Sequence, residues 1–228
     1  MKKMIGIFVD NTQLRLFNYW QKLLQPLDID NQSIEDSFQK IVSAYSSSGR
    51  YYHNLEHIHH VLINTTKLQH LVQEGLSLSL SAWLHDVIYD SQSQNNELYS
   101  AEFASELLEK MHINYNIINR VCNLILTTKF HHPDSNDIDA QILIDADLAI
   151  LGTRSDIYQD YALAIRKEYI WVKENAYIQG RIKILENFLA RPQIYFTADM
   201  RHQLEGFARQ NMQEEIKLLR NQGNVKFI

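Results

Sequence analysis

The chain has little that interrupts a helix. Its 228 residues include 7 glycines and 3 prolines, about half or less of ordinary usage, which leaves few turn residues for hairpins and favours long helices. It has one cysteine, Cys122, which excludes an intramolecular disulfide, and a buried reduced thiol suits a cytoplasmic protein. It has no basic block: the net charge of -5 is spread along the chain, so no nucleic-acid partner is expected. The opening "MKKMIGIFVD" is too short for a signal-peptide core or a bilayer span, and no membrane association is expected. Those ten residues suit a short strand, a helix extension or an arm.

What is present is apolar and helical. With 45% hydrophobic residues the chain can bury one continuous core, and residues 1–228 are expected to form a single all-α domain. Leu14, Leu16, Phe17, Trp20, Leu23 and Leu24 recur at helical spacing, and a second amphipathic stretch over about 33–46 stops at Gly49. A long amphipathic helix is predicted from His53 to Val72. "GLSLSLSAWLHDVIYD" alternates Leu and Ser like a strand but continues through Val87 and Ile88 like a buried helix; a helix is the expectation. Further helices are predicted over "ELYSAEFASELLEKM", "NIINRVCNLILTTKF", "AQILIDADLAIL", "DIYQDYALAIRKEYIWV", "YIQGRIKILENFLA" and residues 199–221, with polar loops at "DSQSQNN" and "HHPDSND". Tyr169, Trp171 and the "IYF" at 194–196 are expected in the core.

Three places carry chemistry. "RYYHNLEHIHHVL" (50–62) holds four of the ten histidines. On a helix His53, His57 and His60 fall within about 60° of one another, beside the apolar face, while His59 points away. Several imidazoles at one core edge need their nitrogens satisfied, by a cation or by backbone and water. "WLHD" sets His85 and Asp86 in an apolar run, and "LIDAD" does the same for Asp145 and Asp147. Buried carboxylates there call for a metal, an arginine or a helix N-terminus. Asp145 and Asp147 diverge by about 200° on a helix, so one of them at most serves a given ion. Asp90, Asn96 and Glu97 follow the His-Asp pair and can either orient a water or cap the next helix. Lys129, Arg166 and Lys167 are further candidates for phosphate contact, and His131 and His132 for metal ligation or phosphate contact, each with an ordinary surface role as the alternative.

In order, His57, His85-Asp86 and Asp147 make the pattern H…HD…D, which resembles the HD-domain superfamily of metal-dependent phosphohydrolases over about residues 50–152. "YHNLEH" is similar to the YHNxxH signature of class I cyclic nucleotide phosphodiesterases. "EFASELLEK", "DADLAILG", "IRKEY" and "GRIKILENFLARPQIYFT" extend a likeness to a bacterial group of predicted HD-superfamily hydrolases. The resemblance implies His57, His85, Asp86 and Asp147 as ligands of one divalent transition metal (Mn, Fe, Ni, Co or Zn) and His53 as general acid. It favours Asp147 over Asp145 and sets Arg50 as a phosphate clamp; Glu97, from its place after the His-Asp pair, is a further catalytic candidate. The implied substrate is a small phosphorylated metabolite such as a nucleotide; a homodimer stays open. Val87, Ile88 and Tyr89 stand where related binuclear enzymes carry another histidine, which weighs against the alternative of a mixed-valent di-iron oxygenase. A non-catalytic nucleotide-binding module is the third reading.

Overall fold

In the computed structural model, residues 11–224 are described, with the side chains of residues 12–222; the opening ten residues lie outside them. Among the described residues there are ten α-helices and no strand: α1 (Asn11–Leu24), α2 (Asn31–Tyr45), α3 (Leu55–Lys67), α4 (Gly75–Leu84), α5 (Asn96–Lys110), α6 (Tyr115–Thr127), α7 (Ile138–Asp147), α8 (Ser155–Glu168), α9 (Glu174–Leu189) and α10 (Ala198–Asn224). The all-α expectation holds. One contiguous set of buried side chains draws on all ten, from Leu16 and Trp20 to Ile216 and Leu219.

Helix starts follow capping chemistry. The Asp30 carboxylate accepts from the Ser33 N–H, Asn54 from Glu56 and His57, and Asp137 from Ala140, each satisfying donors that a helix start leaves free. The Leu-Ser alternation is resolved in α4, whose Ser77 and Ser81 are buried alongside Leu78 and Leu80. The Ser81 hydroxyl donates to Leu78 O at 2.8 Å. Returning a hydroxyl to its own helix lets serine sit in an apolar interior.

Three helices end earlier than their apolar patterns. α3 stops at Lys67 and a short 3-10 turn, Gln69–Leu71, follows; the Thr65 and Thr66 hydroxyls both take Leu62 O, competing with helix continuation. α4 stops at Leu84 because the carbonyls of Asp86 and Val87 accept from Arg50 at 2.7 Å each, and Ser100 Oγ bonds Ile88 N and O. α8 ends at Glu168, and Trp171 beyond it is 52% exposed. Its indole N–H donates to Ser91 Oγ, so the core expectation fails for Trp171 while holding for Ile194 and Tyr195, both fully buried. Cys122 is half-buried rather than buried, its Sγ 3.4 Å from Ala101 O, and partial burial raises its thiol pKa.

α7 runs into a 3-10 turn, Leu148–Gly152, that packs on α10. A Cβ at Gly152 would lie 2.5 Å from Leu204 Cβ and 2.8 Å from Leu204 O. Glycine alone permits this approach. Asp145, fully buried, accepts from Phe196 N, Thr197 N and Thr197 Oγ1 at 2.6–2.7 Å, just ahead of α10. Burial pushes its pKa up to about 6 against the pull of those three bonds.

Candidate metal centre

Three helix ends meet at one point. His57 lies in the first turn of α3, oriented by the Asn54 cap; His85 and Asp86 follow the last residue of α4; Asp147 closes α7. One ligand atom from each of these four lies within 4.8 Å of the other three. The two Nε2 atoms are 3.2 Å apart. Asp86 Oδ2 is 3.4 Å from His57 Nε2 and 3.3 Å from His85 Nε2, and Asp147 Oδ1 is 3.4 and 3.6 Å from them. The imidazoles are 1% exposed and the carboxylates 14–16%, so the cluster is closed on the histidine side and open on the aspartate side.

The electrostatics call for a cation. Burial would lower the His85 pKa, yet Asp86 and Asp147 raise it well above the ordinary value. Burial would likewise raise both carboxylates, but the neighbouring histidines hold them well below the usual range. His57 is pushed down by burial. His85 Nδ1 lies 3.0 Å from Ala82 O, a bond that holds a proton on Nδ1 and turns Nε2, the nitrogen that would bind a metal in place of its own proton, to the cluster. His57 Nδ1 is buried with no partner. Two imidazoles and two carboxylates form a nitrogen-oxygen set suited to a divalent transition metal, which would satisfy all four groups at once.

Further residues border this set. His131 Nε2 is 3.3 Å from Asp147 Oδ2. Its φ of 47° is left-handed, which costs a non-glycine residue about 1 kcal/mol or more and is braced here by Arg191 donating to His131 O. His132 is exposed. His60, half-buried, meets Asn64 Nδ2 at 3.3 Å, and burial lowers its pKa to about 4. His59 stacks on Tyr19 at the periphery.

His53 is held by a residue that sequence reasoning missed. Glu168 Oε1 accepts from the backbone N–H groups of Tyr51, Tyr52 and His53 at 2.7–3.0 Å, and Oε2 lies 2.7 Å from His53 Nδ1. The other face of the ring is fixed by Tyr89, stacked at 3.9 Å, and Nε2 lies 4.0 Å from Asp86 Oδ2. Burial lowers the His53 pKa, but the Glu168 bond and Asp86 outweigh it and raise it overall. One signal was readable: Glu168 sits in the last turn of α8, where the helix dipole disfavours a carboxylate.

Arg50 and Glu97 stand outside the four-donor cluster. Arg50 donates to Ser47 Oγ and to the carbonyls of His53, Asp86 and Val87, so four of its five N–H groups are committed and it joins the His53 segment to the turn after α4. Glu97 lies in the first turn of α5, and among the described residues no hydrogen bond or ion pair ties it to the cluster. Asp90 and Asn96 brace their own loop. Lys129 donates to Gln94 O and Arg166 to Tyr169 O and Val172 O.

No protein-family model matches this sequence, and no curated protein matches it significantly.

Proposed function

We propose that this chain is a metal-dependent phosphohydrolase acting on a small phosphorylated compound. The observation that carries the reading is the joining of the four-donor cluster to His53, an imidazole fastened by Glu168 on one nitrogen and facing Asp86 with the other. The H…HD…D order and its likeness to the HD-domain superfamily support it.

A divalent transition metal held by His57, His85, Asp86 and Asp147 would lower the pKa of a bound water and polarise a phosphoryl oxygen. With such a metal in place, a water oxygen would bond to phosphorus as the ester P–O bond breaks, His53 Nε2 would give its proton to the leaving oxygen, and the proton released by the water would pass to solvent, from which His53 regains one. Glu168 keeps Nδ1 protonated and the ring in place, so Nε2 is the atom that gives up and regains the proton. The aspartate side, being open, is where substrate enters.

The test is metal analysis of the purified protein followed by phosphate release from a panel of phosphorylated metabolites with Mn, Co, Ni or Mg added. One equivalent of metal is expected, with activity, and Asp86→Ala should lose both. A protein that takes up no metal under any of these conditions sinks the reading. His131 beside Asp147 favours a second reading, a two-metal site of the di-iron oxygenase kind; two irons per chain would select it.

A further inference from the structure

A pocket of about 330 Å³ opens beside His53. Its walls are chemically one-sided. Apart from His53 and Arg181, every lining residue is tyrosine, aliphatic or glycine: Tyr89, Tyr169, Tyr177, Ile165 and Ile184 are among them. No carboxylate, amide, serine, threonine or lysine lines it. Arg181 offers no free charge, since its guanidinium chelates Glu215 at 2.8 and 3.0 Å and also donates to Tyr161 Oη.

We infer that this pocket binds the organic part of the substrate, and that this part is an aryl or compact branched apolar group rather than a sugar or polyol. The inference rests on the phosphohydrolase reading for the placement: none of the four candidate ligands lines the pocket, and His53, which lines it and also approaches Asp86 through Nε2, is the residue that joins the two, so a group on the oxygen that His53 protonates has this pocket beside it. The walls offer a polyol few partners, chiefly the hydroxyls of Tyr89, Tyr169 and Tyr177, so most hydroxyls placed there would lose their water without replacement, whereas a ring gains by leaving water. The volume is at the small end for ligand sites, which suits one ring and not an extended chain.

Gly180 lines the pocket on α9, and a Cβ built there meets nothing within 4 Å. Gly180 is exposed, so a larger side chain there would stand at the pocket mouth without disturbing the core. The experiment is calorimetric titration of the manganese-loaded protein with phenylphosphonate and with methylphosphonate, in the wild type, in Gly180→Leu and in Ala176→Leu, a second change on the exposed rim. The wild type should bind phenylphosphonate at least about ten-fold more tightly. Either leucine should erase that advantage and leave methylphosphonate affinity within about two-fold. Equal affinities in the wild type, an advantage that survives both substitutions, or no binding of either compound would overturn the inference. Because binding is the readout, a protein that releases no phosphate yet shows this preference keeps the pocket and loses the phosphohydrolase reading. A protein that hydrolyses without the preference does the reverse.

Discussion

His60 lies one turn beyond His57 and stays neutral because burial makes its charged form costly. Its pKa is about 4 in the fold against 6.5 unfolded, so between these values the unfolded chain binds the extra proton. Stability therefore rises with pH across that window and is lost as pH falls through it, by about 3 kcal/mol. In metal-free buffer, His60→Gln should flatten the curve of unfolding free energy between pH 6.5 and 4; an unchanged slope would show that His60 is solvated. At Glu168 the proposed chemistry gives a second outcome. Glu168→Gln keeps an oxygen for the Tyr51, Tyr52 and His53 amides but removes the charge at Nδ1, so metal content should persist while phosphate release falls about 100-fold or more. Rescue of the rate at lower pH would mark the loss as one of protonation rather than of folding. His85, Asp86 and Asp147 stood out as polar residues set in apolar stretches, but grouping them with His57, which lies among other histidines, came from the resemblance to the HD pattern. The committed state of Arg50 was not legible, since two of its four acceptors are main-chain carbonyls about 36 residues away, and no side-chain pattern encodes them.

At the level of elements, the joint between α7 and α10 is fixed by two residues. Asp145→Asn would present an amide N–H to the donors of Phe196 and Thr197 and should destabilise the protein by about 2–4 kcal/mol, read as a lowered midpoint in urea. Gly152→Ala forces a methyl against the Leu204 backbone and should cost about 1–3 kcal/mol. Gly206→Ala, where an added Cβ meets nothing within 4 Å, should be neutral or stabilising by up to about 1 kcal/mol. If both alanines behave alike, the close approach at Gly152 carries no energetic weight. Helix identity was legible from period, as in the stripe of α1, whereas the caps Asn54 and Asp137 emerge only in the structure. Helix ends were less so. α4 reads on through Ile88 by its apolar residues, and what stops it is Arg50 and Ser100, from segments far away in sequence.

For the whole molecule, the candidate ligands come from α3, from the end of α4 and from α7, so a bound ion would link segments that separate on unfolding. With free metal at about 100 times its dissociation constant, stability should gain about 2.7 kcal/mol, a shift of roughly 5–10 °C in thermal midpoint for a chain of this size. Asp86→Ala should show no such shift. The continuous core also distributes the three tryptophans unequally. Trp20 and Trp83 are 0–1% exposed and meet edge-on at 5.2 Å, whereas Trp171 stands 52% exposed between Tyr169 and Val172, two residues of the pocket wall. Indole emission shifts to longer wavelength in water, so the native spectrum divides into a blue component from the interior pair and a red one from Trp171 that iodide alone can quench. Loosening of the segment after α8 is then read at the red edge and loss of the fold at the blue edge, within a single optical trace and without a label.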